Sequence, residues 1–195
     1  MIVNIFAPPV PYEINTKANY TIAVESAALF LVEKNHPVDL IVGDFDSSDL
    51  DEIKARYPNT LVHEHASMKD ETDTMLAVLE ALKKNPSIIY LYTNAGVRLD
   101  HSLANLRLLT MGPVVLLNDH IRAYTLSPGT HRIDPVHPYV SLFAAPHVEG
   151  LNVEGFKYPL KDATLTYGDT VGISNEGSGQ ISLKSGTLLV IESRD

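Results

Sequence analysis

The chain has 195 residues, 45% of them hydrophobic and 20% charged, which is typical of a globular protein with one large domain or two small ones. Its net charge of −9 argues against non-specific nucleic-acid binding, and its lack of cysteine excludes disulfides, thiolate catalysis and zinc held by sulfur. Because there is neither a signal peptide nor an apolar run of roughly 20 residues, we expect a cytoplasmic protein with no membrane or nucleic-acid partner.

Residues 1–120 alternate short β-rich runs with helical patterns. The predicted strands are 2–6, 20–24, 38–42, 61–63, 88–92 and 114–117. The predicted helices are 26–34, 48–56, 72–83 and 100–109. Strands that alternate with helices indicate a mainly parallel sheet covered on both faces, so we predict a Rossmann-like α/β domain over 1–120.

The pattern changes near residue 120, where short β-rich runs become separated by glycine and proline. The predicted strands are 139–143, 164–167, 180–183 and 188–191. No long helix is predicted, and glycines such as Gly150 and Gly155 are interpreted as turns. Residues 121–195 are therefore predicted to form a small antiparallel β-sandwich, joined to the first domain without a long linker.

Three acidic clusters mark strand-to-helix junctions of the first domain. They are Gly43-Asp44-Phe45-Asp46-Ser47, Lys69-Asp70-Glu71-Thr72-Asp73 and Arg98-Leu99-Asp100-His101. Ligands of an open α/β sheet bind outside the carboxyl ends of its strands, and Asp70 and Asp73 would share one face of a helix start. Helix capping, or a surface ion pair for the third cluster, explains each cluster alone. Three such clusters in one sheet indicate a shared site.

The chemistry of these clusters suits a hard cation and a phosphate chain. Mg²⁺ prefers oxygen ligands and shares phosphate oxygens with substrates, while the planar guanidinium of Arg98 suits a pair of phosphate oxygens. His63 and His65 would lie on one face of a strand, but this pair is a weak basis for a zinc site. Neither the P-loop nor the dinucleotide-binding fingerprint occurs in the chain. The sequence therefore predicts a site for Mg²⁺ and phosphate.

Five motifs together resemble those of the thiamin pyrophosphokinase family. Three are Gly-Asp-Phe-Asp-Ser at 43–47, Lys-Asp-x-Thr-Asp at 69–73 and Arg-x-Asp-His-x-x-x-Asn at 98–105. The segments 154–160 and 174–176 resemble the family's thiamin-side motifs. The resemblance, which spans nearly the whole chain, implies a homodimer whose active site is shared between subunits. It also implies nucleotide binding and catalysis by residues 1–120, and thiamin binding and dimerisation by residues 121–195.

The resemblance implies a reaction and a set of site residues. The reaction is Mg²⁺-dependent transfer of pyrophosphate from the substrate ATP to the hydroxyl of thiamin, giving thiamin diphosphate and AMP. The implied metal ligands are Asp44, Asp46, Asp70, Asp73 and Asp100, and the implied catalytic residues are Asp73, Asp100 and Arg98. The implied nucleotide-binding residues are Asp44, Asp46, Ser47, Lys69, Asp70, Thr72, Arg98, His101 and Asn105. Ser174 and Asn175 would bind thiamin, and the general base is either Asp73 or Asp100.

Three segments depart from the family pattern. Ala7-Pro8-Pro9 stands where the family has glycines, Glu25-Ser26-Ala27-Ala28 replaces acid-x-Gly-Ala, and Thr93-Asn94-Ala95-Gly96-Val97 replaces Gly-x-x-Gly-Gly. Two alternatives to the kinase stay open. One is a non-catalytic thiamin- or nucleotide-binding protein, and the other is a different Mg²⁺-dependent nucleotide phosphotransferase or hydrolase.

Overall fold

A computed structural model describes residues 1–11, 17–46, 49–66, 68, 70–94 and 98–195. They form two compact units, Met1–Asp119 and His120–Asp195. Within these described ranges, no helix is long and apolar enough to cross a membrane.

The described residues of the first unit form six parallel strands and four helices. The strands are β1 (Ile2–Phe6), β2 (Tyr20–Val24), β3 (Leu40–Gly43), β4 (Leu61–Glu64), β5 (Ile88–Tyr92) and β6 (Val114–Leu117). The helices are α1 (Ala27–Glu33), α2 (Leu50–Arg56), α3 (Asp73–Leu82) and α4 (Leu99–Leu108). The parallel sheet that the sequence predicts is confirmed, with most element ends within two residues of the predicted ones.

The order of the strands positions the site. The sheet runs β4-β3-β2-β1-β5-β6, and each neighbouring pair is parallel. The chain moves outward from β1 to β4 and then returns to add β5 on the other side of β1. The direction of winding therefore reverses between β1 and β5, and ligands of open α/β sheets bind at such a reversal, outside the carboxyl ends of the strands.

Buried apolar side chains on both faces hold the sheet in place. All four residues of β3 are buried, and the Phe6 ring of β1 stacks on the Tyr92 ring of β5 with centroids 4.7 Å apart. Side-chain caps fix the starts of two helices. Asp49 accepts a hydrogen bond from the Glu52 amide at α2, and Thr72 accepts one from the Met75 amide at α3. These contacts fix the packing of β1, β3 and β5 and the starts of α2 and α3.

The described residues of the second unit form β-strands. They are β7 (Ile121–Leu126), β8 (Gly129–Ile133), β9 (Tyr139–Phe156), β10 (Leu160–Thr166), β11 (Asn175–Leu183) and β12 (Ser185–Ser193). Their order is β7-β12-β9-β11-β8, with β10 also paired to β9. The pairs β7–β12, β9–β12, β9–β10 and β8–β11 are antiparallel. The predicted C-terminal antiparallel β-sandwich is thus confirmed in outline, except that β9 and β11 pair in parallel.

Strand β9 corrects the prediction in one respect. It continues for 18 residues, whereas the sequence predicts a strand only at 139–143. Gly150 and Gly155, interpreted as turns, lie within β9 at φ values of 64° and 84°. Glycine adopts this left-handed conformation without a steric penalty, which lets a strand bend or bulge without ending. A glycine between two β-rich runs therefore did not separate two strands here.

Candidate functional site

Three carboxylates from separate segments meet at the carboxyl edge of the first unit's sheet. Glu25 follows β2, Asp44 follows β3 and Asp73 begins α3. One carboxylate oxygen from each lies within 4.8 Å of the other two, and all three residues are half-buried. In the part of the chain that the structure describes, no other group of three acidic or histidine side chains is this close. We call these residues the carboxylate cluster.

The position of Glu25 depends on Gly43 at the end of β3. The Glu25 amide donates a hydrogen bond to the Val42 carbonyl, and its Oε1 accepts one from the Phe45 amide at 3.2 Å. A Cβ atom on Gly43 would lie 2.5 Å from Glu25 Cγ, closer than side-chain atoms approach each other. Gly43 therefore leaves the space through which the Glu25 side chain reaches the cluster.

The turn after β3 separates the two aspartates of the first motif. Between them, Phe45 adopts a φ of 56° and buries its ring in the core. Asp44 is half-buried in the carboxylate cluster, whereas Asp46 is exposed and donates its backbone amide to Asp44 Oδ1 at 3.2 Å. Only one of the two aspartates thus joins the cluster.

The cluster concentrates negative charge. Burial, a side-chain hydrogen bond with Asp44 and the charge of Asp73 together raise the pKa of Glu25 above its ordinary value. Such a group of acids is stabilised either by a proton or by a cation. Half-buried oxygen ligands without sulfur or nitrogen suit a hard divalent ion such as Mg²⁺. The donor set therefore fits the metal expected from the sequence.

A cavity lies beside the cluster's edge of the sheet, at the reversal between β1 and β5. Its volume is about 250 Å³. The described residues that line it are Pro8, Pro9, Thr93, Asn94, Arg98, His101, Ser102 and Asn105. Four of these residues, at positions 98, 101, 102 and 105, have the spacing of one helix face. One side of α4, together with the residue that precedes it, therefore forms one wall of the cavity. We call this space the switch-point cavity.

The other predicted residues of the first unit lie outside the cluster. Asp70 is exposed and precedes α3, so the expectation that it shares a helix face with Asp73 is wrong, because the helix begins only at Asp73. Asp100 is also exposed, and its Oδ2 accepts a hydrogen bond from Arg98 Nη2 at 2.7 Å, which lowers the pKa of Asp100. Ser47 and Lys69 lie outside the described residues.

Glu25 belongs to the carboxylate cluster but is absent from the metal ligands that the sequence predicts. The sequence feature that could have identified Glu25 is its position directly after β2, at the same edge of the sheet as Asp44. The pairing of β2 with β3 brings the ends of these strands side by side, but sequence spacing alone does not show which strands are neighbours.

The two predicted thiamin-binding residues lie at the start of β11. Asn175 is 3% exposed; its Oδ1 accepts from the amides of Tyr158 and Glu176, and its Nδ2 donates to the Tyr158 carbonyl at 2.8 Å. Ser174 is exposed, and its amide donates to Ser141 Oγ. The Asn175 side chain thus links the turn at Tyr158 to β11 by hydrogen bonds, whereas the neighbouring Ser174 is exposed to solvent.

Comparisons with known proteins agree on one family. Residues 12–116 match the family model described as thiamin pyrophosphokinase, catalytic domain, and residues 130–188 match thiamin pyrophosphokinase, vitamin B1 binding domain. Thiamine pyrophosphokinase of Bacillus subtilis (strain 168) is 33% identical over 165 residues, which cover 78% of this chain and 77% of that protein.

Solved structures extend this likeness to the whole fold. The crystal structure of thiamine pyrophosphokinase from Bacillus subtilis matches with a TM-score of 0.88 and 29% identity, covering 100% of both chains. A thiamin pyrophosphokinase family protein from Enterococcus faecalis matches with a TM-score of 0.87 and 27% identity, over 100% of this chain and 99% of the other.

Proposed function

The chain belongs to the thiamin pyrophosphokinase family, and from this premise we propose how its residues carry out the family's reaction. The chain is a thiamin diphosphokinase: it transfers pyrophosphate from ATP to the hydroxyl of thiamin. Loss of the β- and γ-phosphates leaves AMP as the second product. The reaction needs the thiamin hydroxyl in line with the departing AMP oxygen, so the protein acts mainly by positioning groups and neutralising charge.

We propose that the carboxylate cluster holds Mg²⁺ for this reaction. The observation that carries the proposal is the convergence of Glu25, Asp44 and Asp73 at the carboxyl edge of the sheet. A divalent ion bound there would neutralise charge on the phosphates of ATP. The further metal ligands implied by the motifs, Asp46, Asp70 and Asp100, stay predictions.

The nucleotide phosphates are proposed to enter the switch-point cavity. Its described lining carries the cation Arg98, which is paired with the exposed Asp100, and a phosphate in the cavity would share this guanidinium with Asp100. His101 and Asn105 line the same wall, in keeping with their predicted nucleotide-binding roles. The roles of Ser47, Lys69 and Thr72 toward the nucleotide remain predictions, although Thr72 already serves as the cap of α3.

The thiamin hydroxyl must lose a proton as it attacks the β-phosphorus. Asp73 and Asp100 are the two candidates for the general base and for metal contacts near the reacting atoms. Asp73 lies in the carboxylate cluster, and Asp100 is paired with Arg98. Both stay candidates for the base, and Arg98 would steady the phosphates.

Residues 121–195 are proposed to bind thiamin and to form a homodimer in which each active site draws on both subunits. Ser174 would contact thiamin directly, while Asn175 would act by holding the Tyr158 turn. Exposed apolar side chains in this unit, including Val171 and Ile173, would then be covered by thiamin or by the partner. A dimer at micromolar concentration is expected by sedimentation, and a monomer would contradict the shared site. The cytoplasmic location also stays a prediction.

The metal assignment is tested by titrating Mg²⁺ against AMP formation in matched variants. Asp44→Asn removes a charge from the cluster, whereas Asp46→Asn removes one from the same turn outside it. We expect Asp44→Asn to require at least tenfold more Mg²⁺ for half-maximal rate, with a smaller change for Asp46→Asn. An unchanged Mg²⁺ requirement in Asp44→Asn would show that the cluster does not define the metal site.

A further inference from the structure

One of the residues that line the switch-point cavity carries a buried hydroxyl without a hydrogen-bond partner. Thr93, the residue directly after β5, is 2% exposed. Its Oγ1 has no partner among the residues that the structure describes. Buried polar atoms are nearly always hydrogen-bonded in folded proteins, so an unpartnered hydroxyl on a residue that lines a cavity is a candidate contact for a ligand in that cavity.

The main chain around Thr93 is held firmly. Its amide donates to the Leu117 carbonyl at 3.3 Å, and its carbonyl accepts from the Asn118 side chain at 3.2 Å. The next amide, of Asn94, donates to the carbonyl of Pro9, another residue that lines the cavity, at 2.8 Å. These bonds fix the backbone that carries the hydroxyl, so a ligand would meet a pre-positioned hydrogen-bond donor.

The cavity selects the kind of ligand group. Its described lining offers one cation, Arg98, together with amide, hydroxyl and imidazole groups, and no carboxylate. At about 250 Å³ it is smaller than the roughly 300–1,000 Å³ of pockets that enclose a whole small molecule. It therefore suits one anionic part of a larger ligand, such as a phosphate group.

We propose that the Thr93 hydroxyl donates a hydrogen bond to a phosphate oxygen of ATP, an inference that rests on the proposed function. The Thr93 side chain supplies the donor, and Arg98 supplies a positive charge on the lining of the same cavity.

The test compares two substitutions that differ in the hydroxyl. Thr93→Val keeps the shape and removes the donor, whereas Thr93→Ser keeps the donor and removes a methyl group. Calorimetric titration with ATP is expected to give about a tenfold higher Kd for Thr93→Val and a change within about twofold for Thr93→Ser. Adenosine, which lacks phosphates, is expected to bind all three proteins alike. Thr21→Val, a buried threonine of β2 away from the cavity, is the matched control and should leave the ATP Kd unchanged.

Several results would overturn the proposal. They are an unchanged ATP Kd in Thr93→Val, an equal loss in Thr93→Ser, or an equal loss of adenosine affinity. If Thr93→Val does not fold, Thr93→Ala replaces it: weaker ATP binding than in Thr93→Ser supports the contact, and equal binding refutes it. The readout is independent of turnover. If the wild-type protein binds ATP through Thr93 but forms no thiamin diphosphate, the proposed function is wrong and the Thr93 contact stands.

Discussion

Gly43→Ala is the substitution that tests most specifically how the carboxylate cluster is assembled. The new Cβ would lie 2.5 Å from Glu25 Cγ and 3.3 Å from Oε1. Because non-bonded carbon atoms pack at about 3.5–4.0 Å, the middle of the Glu25 side chain must retreat by about 1 Å. Overpacking of this kind costs about 1–3 kcal/mol, and a misplacement of about 1 Å in a catalytic group can reduce the rate roughly a hundredfold.

The assay is the rate of AMP formation at saturating ATP and thiamin, measured over a range of Mg²⁺ concentrations. For Gly43→Ala we expect a rate at least tenfold below wild type and a higher Mg²⁺ requirement, with thermal unfolding still cooperative. Gly168→Ala is the matched control, since a Cβ there meets no atom within 4 Å. Wild-type rate and Mg²⁺ dependence in Gly43→Ala would refute the inference that Gly43 makes room for Glu25.

Three further predictions concern the cluster and the second unit. Asp73→Asn should lower turnover at least tenfold while circular dichroism shows an intact fold; near-normal turnover would remove Asp73 from the active site. The pKa of Glu25 is higher in the folded protein than in the unfolded chain. The protonated Glu25 side chain therefore stabilises the fold below the ordinary glutamate pKa, and this stabilisation is lost as the pH rises through the raised pKa. Glu25→Gln should therefore raise the thermal unfolding temperature of the metal-free protein more at about pH 8 than at about pH 4.5, and an equal gain at both would contradict the shift. Asn175→Ala leaves the hydrogen-bonding groups of Tyr158 without partners and should cost about 1–3 kcal/mol on denaturant unfolding. It should also weaken thiamin binding more than ATP binding in separate titrations, and an equal loss for both ligands would argue against a thiamin-side role.

The sequence predicted the α/β unit well because its signals are local. The helix predicted at 72–83 has an apolar stripe at helical spacing. The Thr72 side chain caps its N-terminus by accepting a hydrogen bond from the Met75 amide. Strands β2 and β5 have the predicted ends because short apolar runs flanked by polar residues define them. Such features depend on neighbours along the chain rather than on distant contacts.

The composition of the candidate site was harder to predict because it depends on distant contacts. Glu25 reaches Asp44 only because β2 pairs with β3, and because Gly43 lacks a side chain. Asp70 and Asp73 are both aspartates of the same motif, but Asp70 precedes the first turn of α3 and is exposed. Motif spacing identified the segments of the site, whereas strand pairing and helix boundaries decided which carboxylates meet.

The most direct measurement of the central claim is to follow the β-phosphorus of ATP when the protein is incubated with thiamin, ATP and Mg²⁺. With label at that position, we expect the label to appear in thiamin diphosphate and unlabelled AMP to form in equal amount. Label recovered in ADP or in free phosphate, with no labelled thiamin diphosphate, would contradict pyrophosphate transfer. That result would point to another nucleotide phosphotransferase or hydrolase on the same site.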